Sequence, residues 1–351
     1  MVDKNEFNMD GEHIMRHDFL NYCSCCLLDI IKYVDENHIA KENLHFNDKR
    51  LADEFQSKCA TLTEDEKTSW LINNGCKNDI YNFYYKHLFC SLIVDFSNYY
   101  NASVEMAYKR NIYAAWALLR RPLQETLAYL EWLYVDRYEL IKLMLEQDDT
   151  KKYELMSRVN KSKIKNHIQE IQAEGEKGII DLYEFRYSYD TEFTINGILQ
   201  ATNHLITTRP ALKTSPHGLN FVFQNDDTIN RNTGFYYTSV PYIMLNAMKI
   251  IFGMFFEIAN LDEYSQNINY LNLSLKNFGA MPIEFEKSKE ILQLSDRKII
   301  CPHCKKGYST NEKWIDFTNN RFKCDKCFTE LDTFGFIPDY MLNRTEENKN
   351  E

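Results

Sequence analysis

Apolar side chains recur every three or four residues over most of this chain, which is the period of an amphipathic α-helix. From about Glu12 to Asn37 the stripe is Ile14, Phe19, Tyr22, Cys26, Leu27, Ile30, Ile31 and Val34. Thr63 followed by Glu66 is a capping box that opens a short helix running through Leu71. A long helix is predicted from about Asp79, with Ile80, Phe83, Tyr84, Leu88, Leu92, Ile93 and Phe96 on its apolar side. Another runs from about Asn111 to Leu145, and a lysine-rich one from about Lys151 to Ala173. Thr191 to Thr207 reads as helical and stops before Arg209-Pro210. Leu219 to Thr238 reads instead as a hairpin or ordered loop, because apolar runs flank the polar stretch Asn225 to Gly234. Weaker helices are expected over about Asp262 to Asn277 and Glu284 to Leu294.

The segment Pro241 to Ile258 is apolar enough to raise the question of a membrane span. It contains Asn246, Lys249 and Glu257, and a charge at mid-span is costly. A buried helix of a bundle is the better reading, and no membrane partner is expected.

Near residue 298 the pattern changes. Trp314-Ile315-Asp316-Phe317 alternates like a strand, Asn319-Asn320 is a turn signal, and Arg321-Phe322-Lys323 returns as a second strand. The fold class is therefore mainly α, a large helical bundle with a small C-terminal β module. The expected divisions are an N-terminal helical region over 1–75, a bundle core over 76–295, the β module over 296–340 and a tail over 341–351. The chain's 351 residues suit one large domain plus a small one.

The β module carries the sharpest chemistry. Cys301-Pro302-His303-Cys304 and Cys324-Asp325-Lys326-Cys327 are two C-x-x-C knuckles. Each turns tightly enough for two sulfurs to face one ion, and four thiolates close a tetrahedral zinc site. Cys301, Cys304, Cys324 and Cys327 are thus expected to hold a structural Zn²⁺ as a zinc ribbon. Ten cysteines could suggest a disulfide framework, but the other six lack framework spacing. The polar start of the chain, without a signal-peptide pattern, points to a reducing cytoplasm.

Charge refines this reading. The whole chain carries −10, which excludes a general polyanion binder. From Arg297 to Phe328, however, eight positive residues face three negative ones, a formal +5. Zinc with four thiolates adds about −2, leaving about +3. Lys305, Lys306, Lys313, Arg321 and Lys323, with Lys326, Trp314 and Phe322 beside them, are the candidate nucleic-acid contacts. Stapling a lobe too small to fold alone is the competing role for the metal.

In the helical body one segment holds charge among apolar residues. Ile112, Trp116, Leu119, Leu123, Leu127 and Leu130 form one stripe; Ala114, Leu118, Arg121, Glu125, Ala128 and Trp132 form the opposite one. Arg121 and Glu125 are then expected to be neighbours on a largely buried face, with a bend at Pro122. The run Asp181 to Glu192 reads as a solvated acidic face, and Cys23, Cys25 and Cys26 as packing residues.

Arg121-Pro122-Leu123-Gln124-Glu125, with Ser215-Pro216-His217-Gly218 about a hundred residues later, resembles a group of bacterial helical-bundle proteins. Their core helix carries Arg-Pro/Ser-Leu-x-Glu and is followed by a His near Ser or Gly. The resemblance covers about residues 80 to 260. Some members look like helical nuclease domains of bacterial antiphage defence, which use Arg-x(4–6)-His on one helix. The body of this chain lacks that motif, and Arg297 to His303 runs into the first knuckle. Two functions follow. One is a binding or regulatory protein, in defence by that resemblance, which contacts a protein partner, a second copy or nucleic acid. The other is a metal-independent ribonuclease-like effector using Arg121, Glu125 and His217.

Overall fold

A computed structural model describes residues 11–39, 46, 48–146, 149–155, 158–174, 181–188, 194–208, 213–220, 226–280, 298–300, 303–304, 306–309, 315–316, 321–328 and 330–332. The protein is mainly helical. The helices are α1 (Gly11–Glu36), α2 (Lys49–Lys58), α3 (Glu64–Asn73), α4 (Lys77–Tyr108), α5 (Ile112–Arg121) and α6 (Leu127–Glu146). There follow α7 (Arg158–Glu174), α8 (Leu182–Tyr187), α9 (Ile195–Asn203), α10 (Asp226–Ala259) and α11 (Glu263–Ala280). The helix expected over Glu284 to Leu294 and the tail 341–351 lie outside the described residues.

The helices group into two compact units interleaved along the chain. One takes residues 31–96 and 121–186; the other takes 1–30, 97–120 and the chain from Tyr187 onward.

In the first unit, α3 starts on the capping box read from the sequence. Thr63 Oγ1 accepts from the Glu66 amide at 3.3 Å, and the Thr63 amide donates to Glu66 Oε2 at 2.8 Å. Leu71, Cys76 and Ile80 form a small core there, covered by Phe55, Trp70 and Tyr84. Along α4 this unit buries Ile80, Tyr81, Tyr85, Phe89, Ile93 and Phe96. Their three- and four-residue spacing is the stripe that one side of a helix buries.

In the second unit, α10 is the central element. It buries residues on all sides from Tyr236 to Ile258, Pro241 among them. By length and composition α10 could cross a membrane, yet 67% of its most apolar window is buried inside the protein. It also begins earlier than the sequence pattern suggests. Residues 226–238 are helical, not a hairpin. Asn-rich runs have weak helix propensity and read as turns, but here tertiary partners hold them. Asn232 Nδ2 donates to Tyr113 Oη at 2.6 Å, and Arg110 donates to Asn230 Oδ1 at 2.7 Å. Trp116 stacks on Phe235 at 5.5 Å between centroids. The helix expected over Thr191 to Thr207 is shorter, since α9 ends at Asn203 and the Thr207 amide donates to Thr214 Oγ1 at 2.8 Å.

Cys23 and Cys26 are buried in this unit, while Cys25 is exposed. Burial raises the Cys26 thiol to about 12, so it packs as an apolar group and is not a thiolate. His17 is also buried; its ring stacks on Tyr108 at 5.0 Å, and its Nδ1 lies 3.2 Å from Tyr237 Oη. Desolvation lowers the pKa of His17 below its ordinary value.

The C-terminal segment has short antiparallel strands: β1 (Lys298–Ile300) pairs with β2 (Gly307–Ser309), and β3 (Ile315–Asp316), β4 (Arg321–Lys323) and β5 (Glu330–Asp332) form a three-stranded sheet in that order. The register sets Ile315 opposite Phe322 and Phe322 opposite Leu331.

Candidate functional site

The second C-x-x-C knuckle follows directly from β4, and the turn after Lys323 carries Cys324 to Cys327 back on itself. The Cys327 amide lies 3.5 Å from Cys324 Sγ, and the Phe328 amide donates to Cys324 O at 2.9 Å. An amide aimed at a cysteine sulfur stabilises the thiolate form, the form that binds metal. Cys304 arrives from the other knuckle, with its Sγ 3.4 Å from Cys324 Sγ. That separation is far beyond a disulfide bond of about 2.05 Å. The sulfurs of Cys304, Cys324 and Cys327 all lie within 4.8 Å of one another, with Cys324 buried. Three sulfurs converging at this spacing suit one metal ion at their centre. Cys301, Lys305 and Lys313 lie outside the described residues.

The charges around this cluster are not equivalent. Lys306 Nζ donates to both carboxylate oxygens of Asp325 at 2.7 Å. This ion pair ties the chain after the first knuckle to the second, and it commits Lys306 to a carboxylate. Lys323, Lys326 and His303 are exposed, and Arg321 is in β4.

The charged segment of the helical body differs from its expected form. The helix does deform at Pro122, but as a π turn over Pro122–Thr126. Proline has no N–H to give, and the Leu127 amide reaches Pro122 O, five residues back, in place of Leu123 O. A π turn inserts one extra residue, so the stripe before it no longer continues on the same face after it. Ala128 and Trp132 stay buried, while Arg121 and Glu125 are exposed and do not form a buried pair. Arg121 instead pairs with Asp95 on α4 of the same unit, Nη2 to Oδ1 at 2.8 Å and Nε to Oδ2 at 3.0 Å. Thr126 Oγ1 donates to the same carboxylate at 2.9 Å. His217 belongs to the other unit, where it is exposed in a turn with φ 64°.

The buried ion pair of the body is one that periodicity did not single out. Arg186 on α8 is 1% exposed, and its Nη1 donates to Glu131 Oε1 on α6, itself 4% exposed on the side chain. Its Nε and Nη2 both donate to Leu123 O, at 2.9 and 2.7 Å. Leu123 O is the carbonyl that the π turn relieves of its helical donor. Gln124 Nε2 closes the arrangement on Arg186 O at 3.3 Å. Burial raises the Glu131 carboxyl above the ordinary value, against the pull of the Arg186 charge. Its Oε2 is buried without a hydrogen-bond partner. A guanidinium this enclosed cannot reach a substrate. The geometry serves to fasten α8 onto the π turn. Within the run read as a solvated acidic face, Asp181 and Glu184 are indeed exposed, while Leu182, Phe185 and Arg186 face inward.

No protein-family model matches this chain, and neither the curated proteins nor the solved structures include a detectable relative.

Proposed function

We propose that this chain is a helical binding or regulatory protein whose C-terminal lobe is a zinc ribbon that contacts nucleic acid. In this reading Cys301 joins Cys304, Cys324 and Cys327 as the fourth ligand of a structural Zn²⁺. The observation that carries the reading is the convergence of three cysteine sulfurs, drawn from both knuckles, within 4.8 Å. Four thiolates leave no open coordination position, so the metal holds the lobe together and activates no water. What remains for contact is the lobe's surface. Lys323, Lys326 and His303 are exposed there, on the segment where positive charge is concentrated. The helical body supplies the larger surface for a protein partner or a second copy.

The hydrolytic alternative draws no support from the surroundings of its residues. Arg121 is committed to Asp95, Glu125 faces solvent, and His217 belongs to the other unit.

The test is direct. The purified full chain is assayed for zinc and for binding to labelled oligonucleotides by fluorescence anisotropy across a salt series. The reading expects one zinc per chain and binding that weakens steeply with salt. Both are expected to be lost in Cys324→Ser. Zinc-free wild-type protein, or a zinc-loaded chain with no affinity for any oligonucleotide, would overturn it.

A further inference from the structure

We infer that Phe328 is a base-stacking residue and that the ribbon takes single-stranded nucleic acid; this rests on the zinc-ribbon reading above. Three observations converge on it. Phe328 directly follows the second knuckle and is 73% exposed, the most exposed of the large apolar side chains described. Its backbone has φ 57°. That left-handed conformation is easy for glycine and strained for a bulky side chain. The turn itself explains the conformation, since the Phe328 amide must reach back to Cys324 O at 2.9 Å. The turn does not explain the phenyl ring, which buries little and would fold more easily as hydrogen. A strained position holding an exposed ring is a position kept for contact.

The neighbours decide the class of partner. Lys326 is exposed two residues before Phe328, and Lys323 is exposed at the end of β4. Lys306 is occupied by Asp325, which also neutralises the one acid inside the knuckle. Phe328 thus follows directly on a turn that carries the exposed Lys326, on a lobe with a formal excess of positive charge. A cation with an aromatic face is the pairing that binds phosphate and base of a strand whose bases are unstacked. A duplex hides its base faces in its own stack and offers this ring nothing. A protein partner is the competing occupant, and the experiment separates the two.

Full-length protein is compared with Phe328→Gly and Phe328→Trp in one assay. Zinc content and resistance of the metal to a chelator are measured on each. Binding to a labelled oligothymidylate and to a labelled duplex is then measured by anisotropy. The expected result is that Phe328→Gly keeps its zinc as firmly as the wild type, because glycine takes the turn without strain. Its single-strand affinity falls about tenfold or more, as losing one base stack does. Phe328→Trp retains that affinity. Lys326→Ala lowers the salt slope by about 0.7, the share of one phosphate contact on a single strand. Equal affinity of wild type and Phe328→Gly for the single strand, with zinc intact, would overturn this inference and leave the ribbon reading standing. A preference for duplex over single strand would do the same. Absence of zinc, or of all oligonucleotide binding, would remove both.

Discussion

The helical body and the C-terminal lobe each bring polar groups into close contact, by opposite means. In the body, Arg186 and Glu131 are enclosed by apolar helices, and the guanidinium is held by Leu123 O and Glu131 together. Large buried side chains such as Trp116, Trp132, Phe89 and Phe96 supply the stabilisation that tolerates such a pair. In the lobe, strands of two or three residues have little apolar surface to bury. There the converging groups are thiols, and only a cation can offset the repulsion of several thiolates at this spacing. The lesson is that a buried charge in the body is supported by the fold, while in the lobe the three converging thiols have little apolar burial around them to support them.

The most forceful way to break this comparison is to remove the metal. Chelation, or Cys324→Ser, is expected to cost the lobe its ordered structure, since structural zinc contributes about 10–16 kcal/mol of apparent binding energy in small modules. Amide exchange over residues 298–332 should lose all protection while the far-ultraviolet helical signal persists. Protection that survives complete metal removal would show that the strands hold themselves.

Next in size is the buried pair. Arg186→Met leaves Glu131 without its partner, and breaking a buried pair from one side costs about 3–5 kcal/mol. Guanidinium unfolding should show this, and Glu131→Leu added to it should recover part of the loss. A single-variant cost below about 1 kcal/mol would mean the pair is open to water.

A smaller effect concerns pH. Burial lowers the pKa of His17 and of His167 from 6.5. Below 6.5 the unfolded chain therefore takes up protons that the folded chain refuses, and stability falls as pH falls through that window. His17→Gln keeps an acceptor for Tyr237 Oη and should flatten the decline. Melting temperatures that drop equally with acid in both proteins would contradict the assignment to His17.

The smallest expected effect sharpens the comparison from the exposed side. Arg121→Ala breaks a pair with Asp95 whose arginine is 56% exposed, and such pairs are worth about 0–1 kcal/mol. A loss several times larger in urea unfolding would restore the idea of a buried charge site at that turn.

How much of this was legible in the sequence follows from the range of the forces involved. Local rules carried the capping box at Thr63 and Glu66 and the helix α4, but only part of its stripe: Ile80, Ile93 and Phe96 are buried, whereas Tyr81, Tyr85 and Phe89 are buried in place of the half-buried Phe83, Tyr84 and Leu88. The cysteine spacing marked the residues that converge, because a C-x-x-C knuckle is a local geometry. Arg121 and Glu125 misled for an identifiable reason: a stripe running from them to Ala128 and Trp132 assumes an unbroken α-helix, and the π turn at Pro122–Thr126 shifts the phase between the two halves, leaving Arg121 and Glu125 outside. Proline signalled a disturbance there but not its kind. Arg186 was hidden within an acidic run, and nothing local tells that it meets Leu123 and Glu131 more than fifty residues earlier. The early start of α10 was likewise concealed, because the partners of Asn230 and Asn232 come from Arg110 and Tyr113.

The central claim is that four thiolates, Cys301 included, close the coordination shell of one zinc ion. X-ray absorption at the zinc edge of the purified full chain counts those ligands directly. The account predicts four sulfur neighbours at about 2.3 Å, falling to three in Cys301→Ser. A shell containing nitrogen or oxygen in the wild type, or one unchanged by Cys301→Ser, would contradict it.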